Sequence, residues 1–252
     1  MIHLRTTFVL YIIVILLVYL FLPWKGIFFS GITLLLLAHI IYCSFNICSQ
    51  AYLSTICKSG TREKKIAITF DDGPNEYTRD VLKILDQYNI KATFFCIGKN
   101  IEKNKDILQE IDDQGHIIGN HSWSHHKWFD FFPAKKMKKD ILKNAALIEH
   151  ITGKRVKLFR PPYGVTNPPL KKALAGLNYQ TIGWSLRSLD TISSPGKVIK
   201  KLDHKLAPGD IILFHDSREE ICEILESFIS LAKKKSYQFV RLDELINIKP
   251  YA

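Results

Sequence analysis

Two carboxylates stand side by side at Asp71 and Asp72, where the apolar run 65-KIAITF-70 stops and a Gly-Pro turn begins. Adjacent buried carboxylates repel, and one of them would tend to hold a proton unless something positive sits between them. Fifty residues on, 121-HSWSH-125 places His121 and His125 four positions apart, close enough to grip one metal ion. Each feature alone is weak: Asp-Asp-Gly-Pro also reads as an ordinary turn, and histidines are common on surfaces and in cores. Together they form a two-His, one-carboxylate set with open positions for water, which suits catalytic Zn²⁺ or another divalent metal. A cation held by Asp72 would neutralise that charge and let Asp71 stay ionised beside it.

These groups need a frame that brings them together. After residue 65, strand-length apolar runs alternate with helix-like patterns. Strands are expected at 65–70, 91–98, 116–121, 157–159, 179–184, 210–214 and 237–242. Helices are expected at 78–89 with Thr78 as N-cap, at 104–115, 134–150 and 168–176, and around 195–206 and 218–234. Repeated strand–helix alternation implies a parallel sheet with helices outside. About seven such units point to an incomplete or distorted barrel, with an open doubly wound sheet as the second choice. Asp71, Asp72, His121, Arg160 and His215 all follow apolar strands, and parallel α/β folds carry their reactive groups at that end. Four distant segments therefore converge on one rim.

The first 57 residues are different. Arg5 and Lys25 are their only Lys, Arg, Asp or Glu residues, and the stretches 7–24 and 27–48 are apolar over membrane-spanning lengths. Pro23 and Gly26 flank Lys25, so a transmembrane helical hairpin is expected rather than a cleaved signal peptide, which would lack the second apolar segment. The domain boundaries expected are an anchor at 1–57, a basic linker at 58–65 and a catalytic domain at 66–252. Lys58, Arg62, Lys64 and Lys65 after the second span, with Arg5 before the first, lean by charge toward cytoplasmic ends. The five cysteines are odd in number and contain no CxxC, so neither a disulfide framework nor a zinc–thiolate site is expected, and they read as small apolar fillers. The net charge of +11 is dispersed over amphipathic stretches such as 134-AKKMKKDILKNAALIEH-150, which suits an anionic lipid surface better than nucleic acid.

The motifs TFDDGP (69–74), HSWSH (121–125), RPPYG (160–164) and LFH (213–215), in this order, resemble those of the polysaccharide deacetylases. That group is also called carbohydrate esterase family 4, or the NodB-homology domain, and the resemblance covers roughly residues 64–245. It implies a distorted (β/α)7-type barrel and metal-dependent hydrolysis of an N-acetyl group from an amino sugar. It further implies that Asp72, His121 and His125 bind the metal, usually zinc, and that Asp71 is the general base oriented by Arg160. His215 becomes the general acid, and the backbone N–H of Tyr163 helps to hold the oxyanion. Pro162, Tyr163, Trp184, Arg187 and Asp190 are the expected substrate contacts. The fourth motif departs from the family's Asp-x-x-Asp-Trp: in 184-WSLRSLDT-191, Arg187 and Thr191 replace its first Asp and its Trp. His215 is therefore expected to be tuned differently, with Asp190 as the candidate partner.

The substrate expected is a cell-envelope amino sugar, with a polyprenyl-phosphate-linked N-acetylhexosamine favoured slightly, on the cytoplasmic side of a bacterial inner membrane. The alternatives are a deacetylase of peptidoglycan or exopolysaccharide chains outside the membrane, and an inactive glycan-binding member. Membrane lipid is an expected partner and nucleic acid is not.

Overall fold

The computed structural model describes residues 2–21 and 25–252. Its elements in chain order are α1 (Ile2–Phe21), α2 (Lys25–Phe45), β1 (Thr55–Ile56), β2 (Lys65–Asp71), α3 (Thr78–Gln87), β3 (Thr93–Cys96), α4 (Gly98–Lys103), α5 (Lys105–Asp113) and β4 (Ile117–Asn120). There follow α6 (Ala134–Thr152), β5 (Leu158–Phe159), α7 (Pro168–Leu174), β6 (Gln180–Ile182), β7 (Leu186–Arg187), α8 (Pro195–Lys205), β8 (Ile211–His215), α9 (Ile221–Lys234), β9 (Gln238–Phe239) and α10 (Leu242–Ile246). The strands run in the order β1-β6-β5-β4-β3-β2-β8-β7, all pairs parallel, with β9 against the start of β2. Among the described residues no ladder joins β1 to β7, so the sheet curls into a partial barrel without closing.

Alternation along β2 decides which side chains enter the curl. Ile66, Ile68 and Phe70 pack outward with Val81 and Leu85 of α3 and Leu225 and Phe228 of α9. Ala67 points the other way, into a second cluster with Phe95, Ile117, Leu158, Ile182 and Ile211, plugged at its base by Leu242 and Leu245 of α10. Thr69 and Asp71 share the parity of Ala67, so they rise inside the curl above that plug. The register then seats Asp71 directly beside His215 across β2 and β8.

Several expectations change. Thr78 does not cap α3: the cap position is Tyr77, without a side-chain cap bond. The Thr78 hydroxyl instead donates to Asp216 Oδ2 at 2.6 Å and accepts from Asn75 N–H at 2.8 Å. The cysteines are not all fillers, because Cys48 and Cys57 form a disulfide, leaving Cys43, Cys96 and Cys222 as thiols. The expected anchor boundary at 57 divides a segment that belongs to the fold. Thr55 and Ile56 pair with Thr181 and Ile182, Thr166 N–H donates to Ser44 carbonyl, and Lys58 meets Asp210 at 2.9 Å.

The two expected spans coincide with α1 and α2 over most of their length, with Tyr11 and Thr33 hydroxyls 3.4 Å apart between them. Residues 22–24, which include Pro23, lie outside the described residues. Among the described residues no helix is long and apolar enough to cross a membrane, so the expected transmembrane hairpin is not recovered as such. The helices nonetheless expose large apolar side chains, among them Phe8, Leu16, Ile27, Leu34 and Leu35.

Candidate active site

Asp71 ends β2 with 4% of its surface exposed, in a place where burial alone would favour the neutral acid. Arg160, fully buried just after β5, reverses that. Its Nη1 donates to Asp71 Oδ1 at 2.7 Å and to Thr69 Oγ1 at 2.8 Å, while Nη2 and Nε donate to the carbonyls of Gly183 and Ile182 at 2.8 and 3.2 Å. The guanidinium also lies over the Phe95 ring, 4.1 Å from its centre. Desolvation pushes the Asp71 carboxyl upward, but the charges of Arg160, His121 and His215 and the Arg160 hydrogen bond outweigh it. The group is held below the usual carboxylate range.

Asp72 follows in the left-handed region at φ 76°, and this turn sends its side chain away from that of Asp71. Asn100 Nδ2 donates to the Asp72 carbonyl at 2.7 Å, and Ile97 N–H donates to that of Gly73 at 2.9 Å, fixing the turn. Thr78 and Asp216 pin its far side. Asp216 is buried, and a Cβ at Gly73 would lie 2.3 Å from its Oδ2, so the close approach requires glycine there. Burial raises the Asp216 carboxyl to about 7, against the lowering effect of the Thr78 bond.

The two histidines lie on a loop after β4 that α6 shapes from outside. Asp140 Oδ1 accepts the N–H groups of Trp123 and Ser124 at 2.8 and 3.1 Å. Asn120 Oδ1 accepts from Ser122 N–H and from Asn144 Nδ2, which also donates to Cys96 carbonyl. His121 Nδ1 donates to the Arg160 carbonyl at 2.8 Å, which fixes the tautomer and turns Nε2 toward the carboxylates. His121 Nε2 lies 3.6 Å and His125 Nε2 3.4 Å from Asp72 Oδ1. Burial and the neighbouring His121 depress the His125 imidazole to about 4, against the pull of Asp72 and Asp71, so it is neutral at physiological pH.

The ligand atoms of Asp72, His121 and His125 all lie within 4.8 Å of one another. Donors bound about 2.0–2.1 Å from a tetrahedral ion would sit roughly 3.4 Å apart. The Asp72–His separations agree with that spacing, the donors are two imidazoles and one carboxylate, and three protein ligands leave a position open. The residues present fit a divalent metal.

His215 ends β8. Its Nδ1 donates to Asp190 Oδ1 at 3.0 Å and its backbone N–H to Asp190 Oδ2 at 2.6 Å, while Ser188 Oγ donates to Asp190 Oδ1 at 2.7 Å. Burial would lower the imidazole, but the Asp190 bond and charge, with Asp71 and Asp72, raise it above its ordinary value. Asp190, expected among the substrate contacts, is buried with both oxygens occupied by His215 and Ser188, so it acts on the histidine. Arg187 is exposed on β7 with no side-chain hydrogen bond or ion pair to another described residue, and it does not approach His215 through any bond. Pro162 is buried. Tyr163 is half-exposed, with its ring 4.5 Å from that of His125. Trp184 fills the space beside Gly164, where a Cβ would come within 2.3 Å of the indole. Sequence reasoning missed Thr69, Asn120, Asp140, Asn144, Ser188 and Asp216. The only signal available was a polar residue inside or beside an apolar run.

The fold and site define a metal-ready hydrolytic centre at the C-terminal rim of a curled parallel sheet. The polysaccharide deacetylase family profile matches residues 58–182. A peptidoglycan-N-acetylglucosamine deacetylase of Bacillus cereus is 36% identical over 194 residues, covering 74% of this chain and 90% of that one. The peptidoglycan-N-acetylmuramic acid deacetylase PdaA of Bacillus subtilis is 34% identical over 192 residues, covering 74% and 73%. The crystal structure of a peptidoglycan N-acetylglucosamine deacetylase superposes with a TM-score of 0.74 at 29% identity, over 79% of this chain and 95% of the other. This chain belongs to the polysaccharide deacetylase family. It is a hydrolase of non-peptide carbon–nitrogen bonds, a carbohydrate N-deacetylase.

Proposed function

We propose that the protein removes N-acetyl groups from the amino sugars of peptidoglycan strands on the outer side of the membrane. The named substrates of the similar proteins support the polymer over a lipid-linked precursor. The Cys48–Cys57 disulfide supports an oxidising compartment, against the cytoplasmic lean of the charge pattern. The exposed apolar side chains of α1 and α2 support seating in lipid, with the catalytic domain held close to it.

In this reading Asp72, His121 and His125 hold the metal, zinc by the chemistry of the donors. When bound, such an ion polarises the amide carbonyl and acidifies a water. Asp71, kept ionised by Arg160, takes the proton from the attacking water. The backbone N–H of Tyr163 donates to the oxyanion that develops. His215, charged with the help of Asp190, gives its proton to the leaving nitrogen, so the amine departs neutral. The observation that carries the proposal is the register of β2 and β8, which sets the base and the acid side by side. A binding protein without turnover has no use for that pair, so the inactive reading is not favoured.

The test is acetate release from purified peptidoglycan and from N-acetylglucosamine oligomers by the full-length protein loaded with Zn²⁺. Chelator-sensitive release that Asp71→Ala abolishes is expected. Absence of acetate from every substrate would overturn the activity. A C-terminal alkaline phosphatase fusion that is inactive in cells would overturn the outer location, and extraction of the full chain by alkaline carbonate would overturn the lipid seating.

A further inference from the structure

The loop that follows the metal-binding histidines reads 127-KWFDFF-132, four aromatic residues within five positions. The structure divides them. Phe129 is fully buried against Met137, Ile141, Phe159 and Leu170, and Phe132 packs on the same cluster. Trp128 and Phe131 go the other way, 55% and 79% exposed. The backbone here is a single 3₁₀ turn, Phe129–Phe131, and residues three apart on such a turn share one side. The rings of Trp128 and Phe131 accordingly meet at 5.8 Å and 65°. Phe129 works as a peg that holds the outward pair in place.

This turn is tied to the neighbouring loop of the site, the one that follows β5. Asn167 Nδ2 donates to the Asp130 carbonyl at 2.8 Å, joining it to the segment after Gly164. From that segment Tyr163, half-exposed, sets its ring against His125 and donates its hydroxyl to the His125 carbonyl at 3.4 Å. Three large aromatic surfaces thus stand in solvent on two cross-tied loops, one of which carries a metal ligand. Water is a poor partner for so much exposed ring, and grouped exposure of this kind marks a contact surface.

We propose that Trp128 and Phe131 form a stacking platform for the glycan chain beyond the sugar whose acetyl group is removed. The inference rests on the deacetylase reading above and adds to it a subsite for a polymer. Pyranose rings present flat C–H faces edged by hydroxyls, so they cover an aromatic ring and keep their polar rim in water. Neighbouring sugars in a strand turn different faces outward, and an angled pair of rings suits two successive sugars better than one flat sheet would. The fixed 3₁₀ turn and its buried peg mean that little ordering is left to be done when the chain arrives.

The experiment compares wild type with Trp128→Ala and Phe131→Ala, both in the full-length zinc-loaded protein. Acetate release is measured on N-acetylglucosamine dimers, on pentamers and on peptidoglycan. Each substitution is expected to raise KM for the pentamer and the polymer roughly tenfold, with a penalty that shrinks toward the dimer and with kcat and zinc content retained. Equal effects on dimer and pentamer, or no change in KM, would overturn the platform. So would loss of binding to phosphatidylglycerol vesicles with pentamer kinetics intact, because the rings would then serve lipid. Binding of the pentamer to zinc-free protein, followed by quenching of tryptophan fluorescence, reads the platform without turnover. If the wild type binds the pentamer through Trp128 yet releases no acetate, the deacetylase reading fails while the platform stands.

Discussion

Asp190→Asn removes one charge and alters no volume, so its effect falls on the state of His215. In the wild type the Asp190 carboxylate accepts three donors: His215 Nδ1–H, His215 backbone N–H and the Ser188 hydroxyl. Asparagine has one carbonyl oxygen, and its amide group must then face an N–H that it cannot accept. A hydrogen bond to a charged group is worth about 1.5–3 kcal/mol, so loss of one predicts a fall in kcat of roughly 10- to 100-fold. The sign of the pH effect follows from the causes. Burial pulls the His215 imidazole down, and Asp190 is the chief influence that raises it. Without Asp190 the imidazolium is lost at lower pH, so the alkaline limb of kcat/KM moves to lower pH. The same sign holds for stability: the contribution of the pair is full below the ordinary imidazole value and fades as pH rises through the raised folded one. The assay is acetate release from about pH 5 to about pH 9, with the His215 titration followed by NMR and the fold by circular dichroism. An unmoved alkaline limb, or a uniform loss at every pH, would refute the role given to Asp190.

Chelation, or His125→Ala, is expected to abolish acetate release and bound zinc while leaving the circular dichroism of the domain intact; retained zinc in the variant would count against the ligand set. Replacing Cys48 and Cys57 together by alanine opens a short loop, since the cysteines are nine residues apart. The chain-entropy estimate is about 2.7 kcal/mol, read as a lower midpoint in urea, and an unchanged midpoint would contradict it. Asp216→Asn keeps an acceptor for the Thr78 hydroxyl but has no charge to desolvate. Because the Asp216 carboxyl is raised to about 7, wild-type stability falls as pH climbs from the ordinary carboxylate value through that point. The variant should therefore gain on wild type as pH rises from about 4 to about 7 and hold that gain above it, as thermal melts at two pH values would show.

The residues of the candidate site were legible because each interrupts an apolar pattern at a strand end. Asp71, Asp72, His121, Arg160 and His215 are polar groups directly after runs that can only be buried. The partial barrel was legible from the alternation of such runs with helical periods. Two of the two-residue strands were not: Thr55–Ile56 and Leu186–Arg187 are too short to show any period, and their place in the sheet depends on neighbours far along the chain. The disulfide was hidden for the same reason, because cysteine pairing is a fact of three dimensions and the odd count concealed it. Thr78 looked like a helix cap because it opens the helix, yet its hydroxyl is claimed by Asp216, 138 residues away. The supporting polar set of Asn120, Asp140 and Asn144 left no periodic trace, since each holds a loop rather than a face.

The stretch from Ser44 to Lys58 is closed on itself by the disulfide and fastened to the fold at three points: the Thr166 bond, the pairing of β1 with β6 and the Lys58–Asp210 ion pair. An enzyme on a slack stalk would sweep a volume and meet its polymer at any angle. Here the chain is bonded to the catalytic fold from the last turn of α2 onward. Seated in lipid as proposed, it works at a single height and in a single attitude, so a glycan strand must pass it in the correct orientation to lose its acetyl groups.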